Sequence, residues 1–397
     1  MIYRLRVWEQ STGSQLPVGE MVCEISSNGQ AKGAFRYKQE FLERIDTFAV
    51  DPVSIPLKTD TFSINHPGIF GVFEDSLPDD WGRNLLVRKH KIPRHDQNLP
   101  NLLLAISNSG LGALSYTGHE QPLPPATEIS VRNLSALVTA AEMFEHGELR
   151  DPELTMLLGA GSSPGGARPK VVVYDETADI HYIAKFPSIK DHVDVVKIEG
   201  ATIALAAKAG LIVPPATLVE CGGKPVLLVR RFDVIPGGRR HMISMQTLLK
   251  AQGYYNLRYQ DVLEIVRKYS SNPREDSERL YRQMVFNAII GNTDDHLKNF
   301  WMVYDHQEKW RLSPAFDLVP DIGNRGEHVL FFDIEPFYRG RKSLEIIGRR
   351  WGIANPEAVV EQVFKAVTDW KEEFSCRGVS EADILRFREI DVNLLTV

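Results

Sequence analysis

Polar and charged side chains crowd the stretch IIGNTDDHLKNF at 289–300, where Asn292, Asp294, Asp295, His296, Lys298 and Asn299 follow the apolar run Met284 to Ile290. That run reads as the end of a buried helix, so the polar loop beside it calls for partners or a ligand. Asn299 lies five residues after Asp294, and Asp317, in Phe316-Asp317-Leu318, lies eighteen residues beyond Asn299. A lone carboxylate can accept or orient the proton of an attacking hydroxyl. An amide oxygen and a second carboxylate can hold magnesium, which takes hard oxygen ligands and keeps several waters, so two protein ligands beside nucleotide phosphates suffice. The chemistry implied is phosphoryl transfer. Any one of these residues also suits a turn. Asp295 could replace Asp294 as the base, although the five-residue spacing to Asn299 favours Asp294. His296 reads as a brace for the loop, with a role near the phosphate left open. Lys298 either neutralises the transferring group or is a solvated surface lysine.

Such a site needs a grip on phosphates, and the stretch LGAGSSPGGARPKVVVYD at 158–175 has the composition for one. Glycines at 159, 161, 165 and 166 let backbone N–H groups approach an anion closely. The strand Lys170 to Tyr174 and a second strand, His181 to Phe186, joined by the acidic turn DETAD, form a hairpin carrying Lys185 near its end. Glu199, near the start of the helix Val195 to Leu211, could pair with Lys185. Arg168 and Lys170 are either phosphate contacts or solvated charges. The run LLVRRFD at 227–233 can act as a hinge, where backbone groups of Arg230 to Phe232 meet an adenine edge. Gly-rich loop, strand lysine, helix glutamate, Asp, Asn and Asp stand in the order used by protein kinases.

The elements that position these residues follow from hydrophobic period. Tyr3, Leu5 and Val7 alternate with charged residues, and Val18 to Ile25 and Gly33 to Tyr37 supply further strands of a small curled sheet. Ser76 or Asp79 caps a helix with Trp81, Leu85 and Leu86 on one face. The stretch Asn101 to Tyr116 holds a short apolar helix and a turn into a strand, and a proline-rich connector, Thr117 to Ile129, precedes a helix from Val131 to His146. Val213 to Glu220 and Pro225 to Phe232 form another strand pair. From about His241 onward the chain reads as mainly helical, through Val262 to Tyr269, Ser277 to Ile290 and Pro356 to Phe374.

Composition narrows the function. The 397 residues allow two or three domains with real cores. A net charge of −6 argues against a broad basic nucleic-acid surface, so any DNA contact is expected to run through a partner. The three cysteines, Cys23, Cys221 and Cys376, indicate neither a disulfide framework nor a thiolate metal site, which fits a reducing cytoplasm. No segment has the roughly 20 apolar residues of a membrane span.

With these residues in place, the chain resembles the HipA family of serine/threonine kinases, the toxins of bacterial type II toxin-antitoxin pairs. The resemblance rests on SSPGGARPK at 162–170, IAKFP at 183–187, VRRFD at 229–233, IGNTDDHLKNF at 290–300 and SPAFDLVPD at 313–321, with VFEDSLPDDWGRNLL at 72–86 similar to the family's extra N-terminal domain. It implies an α+β, two-lobed protein-kinase-like fold. The expected divisions are a β-rich N-terminal domain at 1–118, a nucleotide-binding lobe at 119–235 and a mainly α-helical catalytic lobe at 236–397. It further implies that Asp294 is the catalytic residue and that Asn299 and Asp317 hold Mg2+. Ser162, Ser163, Gly165, Gly166, Ala167, Lys170 and Lys185 would bind ATP phosphates. Arg230, Phe232 and Asp233 would lie at the hinge, and His296 and Lys298 beside the transferred group. Family members are inactivated by autophosphorylation of a loop serine, which falls here on Ser163 or the adjacent Ser162. Their usual partner is a HipB-like helix-turn-helix antitoxin that carries the DNA contact, and the best-studied phosphorylate an aminoacyl-tRNA synthetase. A small-molecule kinase on the same scaffold, or an inactive module that sequesters a DNA-binding partner, are the alternatives.

Overall fold

The computed structural model describes residues 1–65, 67–125, 128–148, 151–159, 168–253, 256–323 and 325–396. The chain divides into two compact units. The first comprises Met1–Ser188, Arg230–Lys250 and Val303–Glu308, and the second Ile189–Val229, Ala251–Met302 and Lys309–Val397.

The first unit opens with an antiparallel five-stranded sheet in the order β4-β3-β2-β1-β5, from β1 (Ile2–Glu9), β2 (Leu16–Ile25), β3 (Ala31–Tyr37), β4 (Phe62–Ile64) and β5 (Leu114–Gly118). Alternation on β1 buries Leu5 and Val7, and β3 adds Phe35 and Tyr37 to the same core. Helix α1 (Asp80–Lys89) buries Trp81, Leu85 and Leu86, as its 3.6-residue spacing requires. Of the two expected caps, Asp79 holds the N-cap position, without a side-chain capping bond. Helix α2 (Leu99–Ile106) is capped by Asn98, whose side chain accepts from the Asn101 amide, and α3 (Leu134–His146) buries Leu134, Leu137, Val138, Ala141 and Phe144. The hairpin of β6 (Lys170–Asp175) and β7 (Ile180–Lys185) completes the elements before residue 188.

In the second unit, α4 (Val195–Lys208) packs on the hairpin of β8 (Ala216–Cys221) and β9 (Lys224–Arg230), with Val196, Ile203, Leu227 and Val229 forming the core between them. Gly200 permits that approach, because a Cβ there would stand 3.0 Å from Leu218. Helices α5 (Tyr259–Tyr269) and α6 (Pro273–Ile290) pack together and lead to the candidate site.

The helical expectation beyond His241 holds for these two and for Pro356–Thr368, but two features differ. Strands at His241–Ser244, Trp301–Asp305 and Lys309–Leu312 interrupt it. Their short apolar runs lack the length that separates a buried strand from a helix turn. The expected helix at 356–374 is two, Pro356–Thr368 and Trp370–Cys376, broken at Asp369, where φ −89° and ψ 18° leave the helical range. No described helix is long and apolar enough to cross a membrane.

Candidate active site

Helix α6 begins at Asn272 and Pro273 and buries Leu280, Met284, Val285, Phe286, Ala288, Ile289 and Ile290. It ends at Gly291, whose φ of +73° is the left-handed C-cap conformation that glycine adopts without cost. The chain continues as the loop 292–296, in which Asn292, Thr293 and Asp295 stay buried and Asp294 is exposed, and then makes a single 3-10 turn, Leu297–Asn299. Leu297 and Phe300 are the buried anchors of that turn.

Asp294 and Asp295 are adjacent but differ in burial. Asp295 is fully buried and accepts four hydrogen bonds: from the Tyr259 hydroxyl at 2.6 Å, His328 Nδ1 at 2.9 Å, and the Val329 and Leu330 amides at 2.8 and 3.3 Å. Tyr259 in turn accepts from Asn287 Nδ2 at 3.0 Å, and Asn287 Oδ1 accepts from Asn292 Nδ2 at 3.1 Å. Burial and the Asp295 carboxylate push the Tyr259 phenol well above its usual pKa, so the hydroxyl stays protonated and donates. This buried chain fixes the loop to α5, to α6 and to the segment 328–330. Asp295 is therefore a brace with its acceptor capacity filled.

Asp294 is left in solvent, its side chain 53% exposed. Its backbone carbonyl accepts from Asn299 Nδ2 at 2.8 Å, which turns the Asn299 amide so that Oδ1 is the atom not engaged by the loop. Its carboxylate meets Arg325, and His296 Nε2 stands 4.0 Å from Oδ1. Arg325 is carried by a loop wrapped around Asp321, whose carboxylate accepts from the amides of Gly323, Arg325 and Gly326 and whose own amide donates to the Gly291 carbonyl at 2.7 Å. Lys298 is half-buried, with its carbonyl held by Trp301 Nε1 at 2.6 Å. Asp317 is half-buried with φ +55°, a conformation that costs a non-glycine residue energy and that Asp tolerates better than most. Nothing in the sequence marked Arg325, Tyr259 or His328. Asp321 ends the motif SPAFDLVPD, whose pattern assigns it no role.

In the first unit, Lys170 and Lys185 occupy directly opposed positions of the β6–β7 hairpin, Lys170 buried and Lys185 half-buried. Cross-strand neighbours of this kind lie side by side on one face of the hairpin. Ser162, Ser163, Gly165, Gly166 and Ala167 lie outside the described residues. The segment after β9 is built on buried charge. Asp233, 2% exposed, takes Arg231 in a two-pronged pair at 3.0 and 2.6 Å and the Gly112 amide at 2.9 Å. Burial works to raise the Asp233 carboxyl, but the Arg231 charge and these bonds outweigh it and hold the group below its usual range. The Arg231 amide donates to the His181 carbonyl at 2.9 Å and the Phe232 carbonyl accepts from Arg240 at 3.1 Å. Arg230 is exposed. Glu199 is buried on α4 of the second unit.

Comparison with known proteins gives a consistent result. A HipA N-terminal domain matches residues 17–117, and a HipA-like C-terminal domain matches residues 162–371. A Sinorhizobium fredii protein named "Putative kinase Y4mE" is 27% identical over 380 residues, spanning 87% of this chain and 83% of its own length. A Haemophilus influenzae protein of the same general name is 23% identical over 181 residues, 40% of this chain and 52% of its own. Among solved structures, the Shewanella oneidensis MR-1 toxin-antitoxin complex of HipA, HipB and operator DNA aligns with TM-score 0.68 and 18% identity, covering 98% of this chain and 96% of that one. That likeness shows the fold.

Proposed function

The chain belongs to the HipA family, and from that premise we propose that it is an ATP- and magnesium-dependent serine/threonine protein kinase of the toxin type. The observation that carries this reading is the division of work between two neighbouring aspartates. Asp295 holds the loop from inside, so Asp294 stands in solvent on a rigid support. A base on a preorganised loop reaches an incoming hydroxyl without reordering the backbone.

Asp294 orients the acceptor hydroxyl and takes its proton as the oxygen bonds to the γ-phosphorus and the bond from that phosphorus to the bridging oxygen of ADP breaks, releasing ADP. The oxygen donors fit a hard cation: Asn299, its amide nitrogen held by the Asp294 carbonyl, presents Oδ1, and Asp317 presents a carboxylate. Magnesium bound there would offset the charge on the phosphates. Lys170 and Lys185, opposed on the hairpin, hold phosphate oxygens, and Lys298 and His296 lie beside the transferred group. Arg230 and Phe232 flank the adenine, while Asp233 acts through Arg231 as a brace for that segment. In the Gly-rich loop, Ser163 or Ser162 is the site of self-inactivating phosphorylation, because about two added negative charges would occupy the place of ATP phosphates. The protein acceptor is a translation component such as an aminoacyl-tRNA synthetase, and the partner is a HipB-like helix-turn-helix antitoxin.

The test is incubation of the purified, dephosphorylated chain with γ-labelled ATP and magnesium, comparing wild type with Asp294→Ala and Ser163→Ala and mapping the phosphosite by mass spectrometry. Label on Ser163 or Ser162 that disappears in Asp294→Ala is the expected result. Absence of label from every form, in protein that binds ATP, would overturn the kinase reading.

A further inference from the structure

Most of this acidic chain interleaves its charges, but Trp81 to His95 does not. These 15 residues, WGRNLLVRKHKIPRH, hold five Lys or Arg and two His and no carboxylate, in a chain with 46 basic and 52 acidic residues. The segment begins within α1 and leaves it at His90, and Arg94 opens a short 3-10 turn ending at Asp96. Arg88, Lys89, His90, Lys91, Arg94 and His95 are all exposed.

The ordinary explanation of such a run is a helix end that welcomes cations or a solvated face. It accounts for Arg88 and Lys89, which sit in the last turn of α1, and Arg88 also lies over the Phe144 ring at 4.7 Å. It does not account for Lys91 and Arg94, which lie past the helix. A second basic element, on a helix, gives a contrast. Helix α7 (Arg341–Arg350) carries Arg341, Arg349 and Arg350, and each is paired: Arg341 with Glu361, Arg349 with Glu357, and Arg350 with Asp333. Among the described residues, Arg88, Lys91 and Arg94 make no ion pair. Within the segment Arg83 pairs with Glu74 and His95 with Asp96, so the contrast lies with Arg88, Lys91 and Arg94, which are left to something outside while the three arginines of α7 are neutralised from within.

We propose that the exposed segment 88–95 of the first unit binds the phosphate backbone of duplex DNA directly. A polyanion with regularly repeating charges suits a row of flexible cations, because backbone phosphates recur about every 3.4 Å of rise along each strand. A membrane surface suits it less. Peripheral membrane segments pair cations with inserted apolar side chains, and the only large aliphatic residue beyond the helix, Ile92, is half-buried. Binding of this kind positions a protein on DNA without reading sequence. The inference departs from the expectation that DNA contact runs only through a partner, and it stands whether or not the chain is a kinase. It assigns the segment a share of the electrostatic contact in any DNA-bound assembly the chain joins.

The experiment is fluorescence anisotropy of a labelled duplex of arbitrary sequence, about 30 base pairs long, titrated with the full chain between roughly 50 and 200 mM salt. Two paired variants are compared with wild type, Lys91→Glu with Arg94→Glu and Lys91→Gln with Arg94→Gln. Arg349→Glu with Arg350→Glu on α7 serves as the control for charge alone. The expected result is at least a tenfold loss of affinity for the glutamate pair at low salt. The glutamine pair should reduce the slope of log K against log salt by about 2, since each phosphate contact contributes about 0.9. The control should retain wild-type affinity. Melting temperature establishes that each variant is folded, and the glutamine pair serves if the glutamate pair is not. The proposal fails if the wild-type chain gives no anisotropy change at 50 mM salt, or if folded variants bind as wild type does. It fails equally if the α7 reversal costs as much, or if phosphatidylserine vesicles or RNA compete at least tenfold better than duplex DNA.

Discussion

The segment 230–240 and the loop 291–300 both set aspartates against arginines, yet they use them in opposite ways. In the first, Asp233 and Arg231 are enclosed together, their side chains 3% and 5% exposed, and every bond they make points into the first unit. In the second, burial is given to Asp295, and Asp294 and its partner Arg325 remain about half exposed. A buried pair with its hydrogen bonds filled holds a fold but cannot meet a substrate, because releasing either partner leaves an uncompensated charge. An exposed pair contributes little to stability and can part at small cost. Chemistry is therefore expected at the carboxylate whose loss the fold would hardly register.

That contrast breaks most sharply under alanine. Asp294→Ala should lower phosphoryl transfer about 10⁴-fold, equivalent to about 5.5 kcal/mol of barrier, while moving the urea-unfolding free energy by less than about 0.5 kcal/mol. Asp233→Ala should do the reverse. Unfolding by urea should report a loss of about 3–5 kcal/mol, as for any buried pair deprived of one partner. If Asp294→Ala proves the more destabilising of the two, the comparison is wrong.

Acid offers a milder probe of the same buried segment. His241 is 1% exposed with Nε2 2.7 Å from the Val50 carbonyl, and burial lowers its pKa from 6.5 to about 4. The folded state thus resists a proton that the unfolded chain accepts. Stability from this group is complete above pH 6.5 and is lost as the pH falls toward about 4, by up to about 3 kcal/mol. Melting temperatures measured from pH 7 to 4.5 should fall more steeply for wild type than for His241→Asn, and parallel curves would remove His241 from the account. Next in size, Asp295→Asn should cost about 1–3 kcal/mol, because an amide cannot accept from all four donors. Transfer activity should fall with it, as the loop loosens beneath Asp294. The smallest effect belongs to Arg325→Gln, which should change unfolding free energy by less than about 1 kcal/mol.

Much of the site was legible because its signals are local. The five-residue step from Asp294 to Asn299 is a single loop and turn, and the structure closes it with one bond from Asn299 Nδ2 to the Asp294 carbonyl. The hairpin at 170–185 followed from two strands joined by an acidic turn, and the structure puts Lys170 opposite Lys185. What escaped notice is set by distant partners. Asp295 finds Tyr259 and His328, 36 and 33 residues away, and Asp233 finds the Gly112 amide 121 residues away. Asp233 closes the motif VRRFD and stands with the expected hinge residues. Its carboxylate is nonetheless held by Arg231 and Gly112.

The sequence by itself determined the residue types, the strand and helix periods and the α+β arrangement, since each depends on neighbours within a turn or a strand. It also set the loop's exit from α6, because Gly291 at φ +73° ends a helix wherever it is packed. Only the tertiary structure decided which of two adjacent aspartates would face water. Burial is a property of what the rest of the chain brings to a residue, and Tyr259, His328 and the amides of 329 and 330 came to Asp295.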